Sequence, residues 1–134
     1  MILPLSSMKS KFEKPFTEVE LEIMNAIWSL GECTVKDVQT ALQSTRELAY
    51  TSAATMMKIL EQKGALKSQK DDRVHNYQPL ISRQEYELGS LRHLADNVFQ
   101  GDPSAMVMRL ISESKISKEE LQNIRKILDD RNQK

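Results

Sequence analysis

The sequence predicts a mainly α-helical protein with a single β-hairpin in its middle, and three observations lead there. Ser/Thr-x-x-Glu spacings occur at Thr17 with Glu20, Ser82 with Glu85, and Ser117 with Glu120; in each, hydroxyl and carboxylate reciprocally satisfy free backbone N–H groups at a helix start. Apolar residues recur three and four apart after each of them, the spacing that lines one helix face. Only between Ala65 and Tyr77 does that period lapse, into two short polar-apolar runs separated by Asp71-Asp72.

The first helix is expected over about 18–30, with Ile23, Met24, Ile27 and Trp28 on one side, Leu21 and Leu30 nearby, and Gly31 as its stop. Thr34 with Asp37 is a weaker start signal for a short second helix carrying Val35, Val38, Ala41 and Leu42. A third is expected from Tyr50 to Lys63, its buried stripe formed by Ala53, Met56, Met57 and Leu60 and its end marked by Gly64. Thr51, Ser52, Thr55, Lys58 and Gln62 fall on the opposite face. Leu66–Lys70 and Arg73–Tyr77 read as the strands of a hairpin that Pro79 ends. Ser82 then opens a long helix with Tyr86, Leu91, Leu94, Ala95, Val98 and Phe99 before Gly101. Asp102 caps the next, with Pro103 at the position that best tolerates it and Met106, Val107 and Leu110 as apolar residues. A last helix over about 118–130 has Leu121, Ile124, Ile127 and Leu128. Three amphipathic helices in so short a stretch cannot bury their faces alone, so this region needs a partner.

With 134 residues the chain has room for one ordinary domain, or for one compact module and a smaller accessory piece. The 19 basic and 19 acidic residues cancel, so overall charge argues neither for nor against a nucleic-acid partner. Between Arg46 and Arg73 six basic residues face four acidic ones, and DNA binding therefore requires the positive groups to be segregated on one face. A lone cysteine, Cys33, rules out an intramolecular disulfide and a cysteine cage for metal. No stretch is long and apolar enough to span a bilayer, and the start, at Met1 or Met8, lacks a signal-peptide core. A cytoplasmic location and a loose tail over 1–15 are expected.

Three helices followed by a hairpin is the order of a winged helix-turn-helix, in which the third helix enters the major groove and the hairpin reaches the neighbouring backbone or minor groove. The DNA-contacting candidates are Tyr50, Thr51, Ser52, Thr55 and Lys58 on that helix and Lys67, Lys70 and Arg73 on the hairpin. Short hydroxyls let a helix start approach phosphates and base edges closely, while lysine and arginine neutralise phosphate. Trp28 and Tyr77 are read as core. His75 and His93 stand apart with no cysteine near, so no metal and no cofactor is expected, although His75 is also placed to meet a phosphate. Cys33 is a small half-buried residue or, alternatively, a redox-sensing thiol. No acid pair lies in a spacing with His or Ser that makes a catalytic site, so the chain is not expected to be an enzyme. The rival readings are a winged-helix adaptor that binds protein rather than DNA, and a small enzyme or metal sensor built around Cys33 and the histidines.

The runs Thr17-Glu18-Val19-Glu20-Leu21-Glu22-Ile23-Met24, Ile27-Trp28, Thr34-Val35-Lys36-Asp37-Val38, Leu48-Ala49-Tyr50-Thr51 and Leu60-Glu61-Gln62-Lys63-Gly64 resemble the BlaI/MecI/CopY penicillinase-repressor family. The resemblance continues through Arg73, Tyr77, Pro79-Leu80-Ile81-Ser82, Phe99-x-Gly101-x-Pro103-Ser104 and the final helix, over roughly 16–130. It implies a bacterial transcriptional repressor with a DNA-binding domain over 16–81 and a helical dimerisation domain over 82–134, addressing a pseudo-palindromic operator as a homodimer. The dimer residues it implies are Leu91, Leu94, Val98, Phe99, Met106, Leu110, Leu121, Ile124 and Leu128. The sequence departs from the family where signals arrive. Met106-Val107-Met108-Arg109-Leu110 stands where β-lactam-responsive members carry an Asn-Phe bond cut by a membrane sensor protease. The chain also ends without the Cys-x-Cys pairs of copper-responsive members. An upstream sensor protease or ligand is expected, but neither known inducer carries over.

Overall fold

The computed structural model describes residues 15–133, so the expected tail lies outside the described residues up to residue 14. The elements follow in the order α1 (Glu18–Leu30), α2 (Val35–Leu42), α3 (Tyr50–Gln62), β1 (Leu66–Asp71), β2 (Val74–Pro79), α4 (Arg83–Asn97), α5 (Pro103–Glu113) and α6 (Lys118–Asn132). Three helices and a two-stranded antiparallel hairpin make the winged helix-turn-helix, and three more helices follow. The chain divides into two compact units, the first ending at Ser90 and the second beginning at Leu91, within α4.

Start signals read from the sequence are made in full. Thr17 accepts from the Glu20 amide at 3.2 Å while the Glu20 carboxylate accepts from the Thr17 amide at 2.9 Å, and Thr34 with Asp37, Ser82 with Glu85 and Ser117 with Glu120 repeat the arrangement. Asp102 accepts from the Ala105 amide at the start of α5; its carboxyl is held below its ordinary range by the Ser104 hydroxyl first and that amide second.

In the first unit one apolar face of each helix converges on a core of Ile23, Met24, Ile27, Val35, Val38, Leu42, Ala53, Met57, Leu60, Leu66, Tyr77 and Ile81, with Cys33 and Ala65. Each fully buried large side chain contributes roughly 1.5–3 kcal/mol. Three expected core positions fall short: Met56 and Trp28 are half-buried against the core, and Ala41 faces solvent. The hairpin pairs Leu66 with Pro79 through Asp71 with Val74, so β1 runs one residue past its expected span while β2 leaves Arg73 to the turn and runs on to Pro79. Pro79 closes it instead of lying beyond it. Asp72 makes the turn with φ of 60°, a left-handed conformation that aspartate tolerates better than most residues.

A third, one-residue strand was not foreseen. Cys33, in the α1–α2 connection, forms a bridge with Tyr77 through two backbone hydrogen bonds of 3.0 and 2.7 Å. Its thiol is buried, and its pKa is pushed up to about 11 by that burial first and by the nearby Asp37 and Glu32 charges second. It therefore stays protonated near neutrality, which removes the reactive thiolate a redox sensor requires.

Trp28 is half-buried against the core, and its indole N–H donates to the Ile81 carbonyl at 2.9 Å. Tyr86, expected to serve the long helix, instead joins the first unit: its ring stacks on Phe16 at 4.6 Å and its hydroxyl accepts from the Phe16 amide at 3.0 Å. Arg83 lies 5.3 Å from the centre of the Trp28 ring.

The second unit has little interior of its own. Ala95 and Met106 are its buried apolar residues.

Candidate nucleic-acid interface

The helix α3 presents two different faces. Ala53, Met57 and Leu60 are fully buried, while Tyr50, Thr51, Ser52, Thr55, Lys58, Ile59 and Gln62 are exposed. All eight sequence-predicted DNA-contacting residues, Lys67, Lys70 and Arg73 included, are exposed side chains.

Where α3 begins, it differs from every other helix of the described residues. Its N-cap is Ala49, which makes no side-chain hydrogen bond, and its first turn carries no acid. The backbone N–H groups of a first turn have no partner inside the helix, and together with the helix dipole they form an anion-binding end unless a side chain fills it. In α1, α2, α4, α5 and α6 a hydroxyl or carboxylate does so. In α3 nothing does, and Tyr50, Thr51 and Ser52 surround the open end. The segment leading into it is held from α2, where the Gln39 side-chain amide donates to the Leu48 carbonyl at 3.1 Å. Gln39, Gln43, Glu47, Leu48 and Ala49 line a cleft of about 740 Å³ beside this helix start.

The positive residues sort themselves by partner. Arg46 grips Glu22 of α1 through its Nε at 3.2 and 3.3 Å and its Nη2 at 3.0 Å. Lys63 reaches the buried Glu20 carboxylate at 2.7 Å. Burial alone pushes the Glu20 carboxyl up, yet Lys63 and the Thr17 cap together outweigh it and leave the pKa below the ordinary value. Two of the six basic residues counted from Arg46 to Arg73 thus neutralise structural carboxylates. Lys58, Lys67, Lys70 and Arg73 have no ion-pair partner among the described residues and supply the charge available to phosphate. Pairing thus separates two structural cations from the four that stay available.

The hairpin does not present its cations on one surface. Side chains alternate along a strand, and the register puts Lys67 beside Gln78 on one face and Lys70 beside His75 on the other. Arg73 belongs to the turn. On the Lys70 face, Ser68 donates to the Glu61 carboxylate at 2.6 Å, which ties β1 to the end of α3. This link between the two candidate DNA-contacting elements was missed from the sequence; strand parity and the seven-residue separation were its only signals. Ile59 was missed as well, because an isoleucine in a helix reads as core until the burial is known.

His75 is exposed, with its ring 6.5 Å from that of Tyr77. Among the described residues no group of three or more His, Cys, Asp or Glu side chains is placed to hold a metal ion. No helix among them is long and apolar enough to cross a membrane.

Of the residues expected to make a dimer, Leu91, Leu94, Val98, Leu110, Leu121 and Leu128 are exposed, Phe99 and Ile124 are half-buried, and Met106 is buried. Leu88, Val107, Met108, Ile111 and Ile127 are further exposed apolar residues of these helices.

The family model described as penicillinase repressor matches residues 16–130. The chain is similar to the penicillinase repressor of Bacillus licheniformis, 27% identical over 114 residues that cover 85% of this chain and 89% of the relative. It is also similar to the methicillin resistance regulatory protein MecI of Mammaliicoccus sciuri, 21% identical over 113 residues, 84% of this chain and 92% of the relative. Among solved structures it is similar to the Bacillus licheniformis BlaI monomeric form in complex with the blaP half-operator, with 32% identity, a TM-score of 0.47 and coverage of 55% of this chain and 89% of that one.

Proposed function

The chain belongs to the penicillinase repressor family, and from that premise we propose that it is a DNA-binding transcriptional repressor acting as a homodimer on a pseudo-palindromic operator. In this reading residues 16–81 bind DNA and residues 82–134 hold two copies together. The α3 helix enters the major groove with its open N-terminus toward the phosphates. Thr51, Ser52, Thr55 and Lys58 face the bases and the backbone, and the hairpin brings Lys70 and Arg73 to the flanking strand. The observation that carries this reading is the α3 start: among the described residues it is the helix end without a side-chain cap, exposed hydroxyls adjoin it, and Lys58, without an ion-pair partner among the described residues, lies further along the exposed face. Two half-site contacts joined in one dimer raise affinity by about 100-fold to 10,000-fold over one, and a two-fold protein calls for a two-fold site.

The protein acts by occupying its site, with no chemistry required of it, and it works in the cytoplasm, where operator DNA is. Its inducer acts upstream through the α4–α6 region, as a protease or a ligand that separates the two copies.

The test is binding of the full chain to duplexes it selects from a random library, followed by a salt titration. Each phosphate contact contributes about −0.9 to the slope of log K against log salt, so an interface using Lys58, Lys70 and Arg73 in each of two copies predicts a steep negative slope. Selection of no sequence, with no salt-sensitive duplex binding, would leave the protein-binding adaptor as the better reading.

A further inference from the structure

The Thr55 hydroxyl is not free to donate. It donates to the Thr51 carbonyl one turn earlier at 2.9 Å, the back-bonding available to threonine within a helix. What the residue then offers outward is its methyl group, together with a hydroxyl oxygen whose proton is already committed. One turn further along the same row lies Ile59, a large aliphatic residue outside the core stripe that is 39% exposed. In an α-helix residues four apart lie one above the other, so Thr51, Thr55 and Ile59 form a row whose middle and far members present carbon. An exposed isoleucine gains nothing from water, and the one apolar group that base pairs of unmodified DNA display in the major groove is the thymine C5-methyl.

We propose that Thr55 and Ile59 read thymine methyl groups, so that this row of α3 recognises A·T pairs by apolar contact while Lys58 beside it supplies the polar contact to phosphate or guanine. The assignment rests on the reading of the chain as a DNA-binding repressor, and it adds the chemical group that is read. It also accounts for the position of a donor-poor row in the middle of an otherwise polar face. Guanine, which presents two acceptors in the major groove, finds no donor at Thr55.

The experiment begins with full-length protein and a randomised duplex library. In the selected consensus duplex, each thymine is then replaced in turn by uracil, which removes the C5-methyl and nothing else. Loss of one buried methyl is expected to weaken binding about 4-fold at one or two positions per half-site and at no others. Thr55→Val retains the methyl and removes the hydroxyl, and is expected to keep the thymine-over-uracil preference. Thr55→Ser retains the hydroxyl and removes the methyl, and is expected to abolish the preference at one position, while Ile59→Gln abolishes it at a neighbouring one. Both positions are exposed, so all three variants are expected to fold. Indifference of the unaltered protein to uracil at every position would overturn the proposal, as would a preference kept by Thr55→Ser and lost by Thr55→Val, which would make the hydroxyl the reading group. If the selection enriches no sequence at all, it is the DNA-binding reading that fails, and this inference falls with it.

Discussion

The two units of this chain are built from the same kind of helix and treat their apolar faces in opposite ways. In the first, the stripes of α1, α2 and α3 meet one another and the hairpin, and eight large side chains become fully buried, among them Ile23, Met57 and Leu60. In the second, the leucines of α4, α5 and α6 keep the 3.6-residue spacing but stay exposed: Leu91 at 48%, Leu110 at 50% and Leu128 at 55%. A periodic stripe specifies which face is apolar and says nothing of what will cover it. A small domain gains a self-contained core when its stripes point at a common centre. Exposed stripes leave apolar area that a second copy can cover, and this contrast supports the proposed division of DNA recognition and pairing between the two units.

The largest effect is expected from attacking the exposed stripe. Leu94→Glu places a charge where the second copy would pack, and it is expected to give a monomer whose operator affinity is lower by about 100-fold to 10,000-fold, with the first unit's unfolding unchanged. Sedimentation and duplex binding measure both, and a variant that stays dimeric would break the contrast between the units. In the buried stripe the outcome reverses. Leu60→Ala is expected to cost about 2–5 kcal/mol of stability in urea unfolding. A loss under about 1 kcal/mol would mean that the first unit is no better packed than the second.

Two truncations sharpen where one behaviour gives way to the other. Chains ending at Ser82 and at Ser90 are both expected to be monomers that bind a half-site weakly. The shorter one lacks Tyr86, which stacks on Phe16 and accepts its amide hydrogen bond, and is expected to be less stable by about 1–3 kcal/mol. Equal stabilities would show that the start of α4 contributes nothing to the first unit, and a stable dimer of either would remove the role given to α4–α6.

The smallest expected effect is one of pH, and it centres on Glu20 in the first unit. Because the folded Glu20 carboxyl titrates below its ordinary value, its ion pair and cap stabilise the fold fully above the unfolded carboxylate pKa. That contribution is lost as pH falls through the lower, folded value. Glu20→Gln is therefore expected to flatten the acid limb of stability against pH, without changing the limb above neutrality. An unchanged acid limb would show that other carboxylates dominate it.

Much of the molecule was legible before any coordinates. Helix starts at Thr17, Thr34, Ser82, Asp102 and Ser117 are local: one side chain satisfies amides two or three residues away, so sequence spacing states the geometry directly. Gly31 and Gly64 marked helix ends for a similar reason, since each adopts a positive φ, 79° and 85°, that glycine takes without steric cost. The polar face of α3 was legible too, because it is what remains when the apolar stripe is removed. What escaped the sequence are the features joining residues far apart. The Cys33 bridge to Tyr77, the Glu20–Lys63 and Glu22–Arg46 pairs and the Ser68–Glu61 link each join parts of the chain that only folding brings together. Exposure of Ile59 and burial of Glu20 are of the same kind, since burial depends on neighbours from other elements. Local hydrogen bonding and periodicity thus settled which elements form and which way each faces. Only tertiary packing decided which cations are spent on carboxylates, which remain for phosphate, and which apolar faces are left without a neighbour, because those outcomes depend on distances between elements that no local pattern encodes.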